Sequence, residues 1–84
     1  LYVEPLLATT SGRAVHIDNR KLSRLAKLAG APESPAAGIQ LQVHLGDEIT
    51  RGQPLMFLHT QTSGEMAYAL AYVQDIGDIV KIDP

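Results

Sequence analysis

The side chains able to do chemistry in this 84-residue chain are few: three histidines, one adjacent acid pair, a short hydroxyl run and three lysines. His16, His44 and His59 each fall in a different predicted strand. Three imidazoles brought together hold zinc, but metal motifs place two ligands a few residues apart, and no pair here has that spacing. They read as ordinary strand histidines, with His59, at the end of an apolar run, half-buried and donating to a carbonyl. Asp47 and Glu48 are neighbours, so an extended chain points them to opposite sides and they cannot share acid–base work. Asp47 follows Gly46, where its carboxylate serves the backbone of a turn. Thr9, Thr10 and Ser11 precede Gly12 with no base nearby in sequence, so Ser11-Gly12 reads as a turn rather than a nucleophile. The glycines never cluster into a phosphate loop. The sequence therefore assigns no catalytic, cofactor-binding or metal residue.

The elements that carry these residues follow from periodicity. In Gly38–His59, Ile39, Leu41, Val43 and Leu45 alternate with polar residues. That period predicts a strand with all four apolar side chains on one face. Gly46-Asp47 and Arg51-Gly52 break the run, and Pro54 suits the first residue of a second strand, Leu55–His59. The expectation is two strands joined by a short crook. Tyr2–Thr10 is β-leaning, with Pro5 arguing for an edge. Arg13–Ile17 is a short strand predicted to set Val15 and Ile17 on one face.

Asp18 is placed to cap a helix, and Leu22, Leu25, Ala26 and Ala29 supply its apolar stripe. Gly30 and Pro32 end it, and residues 31–37 form a linker. The stripe is expected to pack on the face bearing Ile39, Leu41 and Val43. Thr62 and Glu65 have capping-box spacing ahead of a second helix with Met66, Ala67, Leu70, Ala71 and Val73. Ile79–Ile82 is a last strand. The order strand, strand, helix, strand, strand, helix, strand predicts a single α+β domain over residues 1–84, with a small, mainly antiparallel sheet and one or two helices.

Composition narrows the function classes. The chain has no cysteine, which removes disulfides and thiolate metal sites. No apolar run approaches the roughly 20 residues that span a bilayer, so no membrane partner is expected. Net charge is -2. Arg13, Arg20, Lys21, Arg24 and Lys27 face only Glu4 and Asp18 within residues 1–30, while residues 31–84 are acidic. A basic patch suits nucleic acid, but this one lacks interleaved aromatics and reads as a solvated helix face. The chain begins at Leu1 rather than Met, which reads as a piece of a longer polypeptide.

Several segments together resemble a known family. Val15-His16-Ile17-Asp18 is followed by a helix ending Leu28-Ala29-Gly30-Ala31, then by Ala37-Gly38-Ile39-x-Leu41. Gly46-Asp47-x-Ile49-x-x-Gly52-x-Pro54-Leu55-x-x-x-His59 completes the series. In this order they resemble the C-terminal domain of the pyrimidine nucleoside phosphorylases, the thymidine phosphorylase family. Glu65–Tyr72 resembles the branch related to the AMP phosphorylases.

The resemblance implies a cytoplasmic parent enzyme, usually dimeric, that attacks C1′ of thymidine with inorganic phosphate. The products are thymine and 2-deoxyribose 1-phosphate, and no other cofactor is implied. It also implies an α/β hammerhead-like, barrel-sandwich-like domain that packs on a preceding α/β catalytic domain. In the family the phosphate loop and base-binding residues belong to the preceding domains, so none carries over to this chain. The chain departs from the family at Gly12-Arg13, where many members have Gly-Tyr, and at Gly30–Pro35, where many have Gly-Ala-Gly-Arg. Those departures leave AMP or another nucleoside open as substrate.

Two other readings compete. Gly46-Asp47…Gly52-x-Pro54-Leu55 also resembles half of a biotinyl or lipoyl carrier, which needs a lysine at a hairpin tip. Lys21 and Lys27 lie on a predicted helix and Lys81 in the last strand, so none fits that role. A stand-alone interaction module is the third reading.

Overall fold

Pro54–Thr60 (β5) is the centre of the first of two small sheets in the computed structural model, which describes residues 1–31 and 37–84. Tyr2–Leu7 (β1) pairs antiparallel with it on one side and Gly38–Leu41 (β3) on the other. Pro5, which has no amide hydrogen to donate, sits in β1 at the edge, as its chemistry requires. The second sheet has Gly12–Ile17 (β2) at its centre, flanked by Glu48–Ile49 (β4) and Val80–Asp83 (β6), again antiparallel. The α+β class holds, with two three-stranded sheets in place of one.

The crook expected between two strands is in fact a crossing between sheets. After Leu41 the chain makes one more ladder bond, Gln42 N–H to the Leu55 carbonyl at 2.9 Å, and then leaves the first sheet. Its next backbone groups are taken by β2. Gly46 N–H donates to the Ala14 carbonyl at 2.7 Å, and Ala14 N–H donates to the Asp47 carbonyl at 2.9 Å. The alternating run therefore does not hold one face. Val43 is buried, but Leu45 is 65% exposed. β2 is also irregular: a register shift between Ala14 and His16 places Val15 in a bulge, 44% exposed, and makes Ala14 the buried residue.

Asn19–Ala29 (α1) and Ser63–Ile76 (α2) cover the inner face of the first sheet. Leu25 and Ala29 of α1 and Met66 and Ala69 of α2 join Met56 and Leu58 of β5 in one apolar cluster. Leu22 and Ala26 lie beside Ile39 and Leu41, so the α1 stripe meets β3 as expected. On α2 the inward set is Met66, Ala69, Leu70, Val73 and Ile76, spaced as a helix demands, while Ala67 and Ala71 are exposed. In an alanine-rich helix the sequence alone does not say which alanine faces in.

Both helices start at the expected residues, and α1 stops at Gly30 as expected. Thr62 and Glu65 form a reciprocal capping box, with Glu65 N–H donating to Thr62 Oγ1 at 3.1 Å and Thr62 N–H to Glu65 Oε1 at 3.2 Å. Gly30 closes α1 at φ 119°, a left-handed conformation that a side chain opposes. The linker beyond it, and the departure at Pro32-Glu33-Ser34-Pro35, lie outside the described residues.

Asp18 Oδ1 accepts from Lys21 N–H at 3.1 Å at the start of α1. That bond, aided by the Lys21 charge and opposed by desolvation, holds its carboxyl below the ordinary 3.8. A depressed carboxylate adds stability above its unfolded pKa and loses it as pH falls through the folded value. Asp18→Ala is thus expected to lower the melting temperature at neutral pH. The gap from the wild type should narrow below about pH 4. A gap independent of pH in a thermal titration would refute the charged cap.

Candidate functional surfaces

Several of the chemically able side chains are engaged in holding the fold. Ser11 Oγ accepts from Arg51 N–H at 2.8 Å, which ties the turn before β2 to the turn before β5. Asp47 Oδ2 accepts from His44 N–H at 2.8 Å and so closes its own turn, as Gly46-Asp47 predicts. Arg13 donates to the Gly46 carbonyl at 2.8 Å and lies 3.7 Å from Glu48 on the neighbouring strand. This arginine thus has a place of its own on the crossing segment.

Lys21 is the residue the sequence misjudged. Its place off the apolar stripe marked it as solvated, yet Nζ donates to the carbonyls of Ile76 at 3.0 Å and Asp78 at 3.3 Å. It satisfies the free carbonyl end of α2 and fastens the two helices together. No pattern local to α1 signals this, because the acceptors lie more than fifty positions away.

The histidines do not converge. His16 is exposed on β2, in the second sheet. His44 is exposed in the crossing segment, with Nδ1 3.7 Å from Asp47 Oδ2. His59, half-buried on β5, has Nε2 3.4 Å from Gln40 Oε1, a side-chain amide oxygen rather than a backbone carbonyl. Among the described residues no three histidine or acidic side chains gather to hold a metal. Lys21 and Lys27 lie on α1 and Lys81 on β6, so none is at a hairpin tip as a carrier needs.

Two recesses differ sharply in chemistry. One, of about 260 Å³, lies where β1 and β5 approach the end of α2 and β6, lined by Leu6, Leu55, Val73, Ile79 and Ile82 with the Thr9 and Thr10 hydroxyls at its rim. Apart from Asp78 its lining carries no ionisable group, so it has no means of activating phosphate. The second is a shallow trough along α1 beside Arg20, Arg24 and Lys27. Among the described residues these three cations have no acidic side chain within ion-pair distance.

The outer faces of the two sheets differ in kind. The second sheet turns Arg13, Glu48, His16, Lys81 and Asp83 outward, opposite the buried Ala14, Ile49 and Val80. The first carries Val3, Pro5 and Phe57 in register with His59 and Gln40. Phe57 is half-buried but does not belong to the core on the other side of its strand.

Comparison with known proteins matches this sequence to a family. Residues 14–80 fit the model for the pyrimidine nucleoside phosphorylase C-terminal domain. A protein of Parvibaculum lavamentivorans named "Putative thymidine phosphorylase" is 93% identical over all 84 residues, and one of the same name from Tolumonas auensis is 89% identical. A third, from Chelativorans, is 63% identical over 98% of this chain. The chain spans only 17%, 17% and 16% of those three relatives' lengths. The chain belongs to the pyrimidine nucleoside phosphorylase C-terminal domain family.

Proposed function

We propose that this chain is the non-catalytic C-terminal domain of a thymidine phosphorylase-type pentosyltransferase. The reaction joins a phosphate oxygen to C1′ of thymidine as the C1′–N1 bond breaks. The departing base takes the bonding pair and a proton and leaves as thymine, and the sugar leaves as 2-deoxyribose 1-phosphate. The parent is a cytoplasmic homodimer, and this domain packs on the preceding catalytic domain of its own subunit.

The observation that carries the reading is how the reactive groups are used. Ser11, Arg13, Asp18, Lys21, Asp47 and Glu65 each hold a turn, a cap or a strand pair. A group already satisfied by the backbone is a poor nucleophile or base, because reaction must first break that bond.

The test uses the full-length protein with thymidine, uridine and AMP as alternative substrates. Phosphate-dependent release of thymine is expected from the intact protein and none from the 84-residue chain. Ser11→Ala, His16→Gln and His44→Gln should each leave kcat within about twofold, whereas loss of a general base typically costs on the order of 100-fold or more. A loss of that size from any of the three, or turnover by the fragment, would overturn the assignment. Faster release of adenine from AMP would move the substrate within the family.

A further inference from the structure

We infer that the outer face of the first sheet, centred on Phe57, is the surface that the rest of the parent polypeptide covers. The inference rests on the proposed role as a domain of a longer enzyme, and adds which side of the domain meets the remainder.

The two sheets make an internal comparison. An antiparallel sheet with one wet face shows alternation of buried and charged residues, and a strand buried on both faces shows a near-continuous apolar run. β2 and β6 follow the first rule, with Arg13, His16, Lys81 and Asp83 outward. β5 follows the second: Pro-Leu-Met-Phe-Leu-His-Thr holds no Asp, Glu, Lys or Arg. Met56, Leu58 and Thr60 are buried under the helices, while Phe57 and His59 occupy the opposite side.

Among the described residues of these three strands, no Asp, Glu, Lys or Arg shares the Phe57 face. Glu4, their one acid, is in register with Leu58 on the inner side. Val3 is 47% exposed, on the same side as the chain's single phenylalanine. An apolar surface without an ionic rim belongs at an interface rather than in water.

The occupant follows from the length of the relatives. More than four-fifths of each relative lies outside the stretch this chain matches, so the parent has ample polypeptide to cover one sheet. The α1 trough and the outer side of the second sheet are lined with charges and need no cover. The recess between β1 and the end of α2 is lined mainly by side chains of the core, Leu6, Met56, Ile79 and Val80 among them. The covering surface is therefore apolar, and joined to this domain in one chain. Gln40 and His59, whose side chains meet at 3.4 Å, mark its polar margin.

Hydroxyl-radical footprinting of the full-length parent, read by mass spectrometry, tests this directly. Oxidation of each ring is normalised to the same ring in denatured protein. Tyr68, 74% exposed on the outer side of α2, is the internal reference. Phe57 should be modified at least about fivefold more slowly than Tyr68, as in the water-excluded core of an interface. That protection should persist on dilution to the lowest measurable concentration. Phe57→Asp in the full-length protein should make β1 and β5 accessible to deuterium exchange, while Lys81→Glu should not.

Equal labelling of Phe57 and Tyr68 would overturn the inference. So would protection lost on dilution, which assigns the face to a second copy. Phosphorolysis by a protein whose Phe57 is unprotected would sink this docking face alone. Protection in a protein that cleaves no nucleoside would sink the enzymatic reading alone.

Discussion

Replacing Leu25 with alanine is expected to cost about 2–5 kcal/mol of folding stability. Leu25 is fully buried where α1 crosses the inner face of the first sheet, in the cluster that also holds Met56, Leu58 and Met66. Truncation there loses the transfer free energy of the removed carbons. It also leaves a cavity that helices fastened at both ends do not collapse to fill. A domain of this size has a total stability of about 4–12 kcal/mol, so the loss is a large fraction of it. Leu28→Ala, on the exposed side of the same helix, is the control and should shift stability by no more than about 0.5 kcal/mol. Urea unfolding of the 84-residue chain followed by circular dichroism measures both. Equal midpoints for Leu25→Ala and the wild type would mean that the helix does not pack as described.

The second large effect is expected at Gly12. A Cβ built on this residue falls onto the Asp83 carbonyl oxygen, 2.7 Å from that carbonyl carbon and 2.8 Å from the Pro84 Cα. These are backbone atoms, so no rotamer change relieves the clash. Gly12 also pairs with Ile49 of β4 on its other side, which limits movement in that direction. Gly12→Ala should therefore push the end of β6 away from β2, at about 1–3 kcal/mol. The damage should appear as faster amide exchange in β6 and β2, with β5 unaffected. Ser11→Ala, one residue away, should show neither the shift nor the exchange. An unchanged melting temperature for Gly12→Ala would refute the close approach of the two strands.

Punctuation in the sequence marked the helices well, because their ends are fixed by local chemistry. Asp18, Gly30, Thr62 and Glu65 act on amides and carbonyls within a few residues of themselves, so their roles are visible in a short window. Pro54 likewise starts β5 where its missing donor does no harm. What local pattern could not show was decided by distant partners. Leu45 completes a perfect alternation with Ile39, yet it is outside because Ala14 claims the Gly46 amide. Val15 was expected to share a face with Ile17, and a bulge facing β6 leaves it exposed. Lys21 looked like surface charge until the end of α2 came to meet it. The surfaces were legible only in part. The uncharged character of β5 is plain in the sequence, but its two faces separate only once β1 and β3 are set in register beside it.

The route of the chain through Gln42–Gln53 has a consequence for how the molecule comes apart. Among the described residues, strands consecutive in sequence never share a sheet: one sheet draws on positions 2–7, 38–41 and 54–60, the other on 12–17, 48–49 and 80–83. Any cut between Leu7 and Val80 parts the strands of at least one sheet, so no cut there leaves both sheets whole. Assembly must wait for long-range closures and then finish in one step, which slows folding and leaves no halfway state to populate.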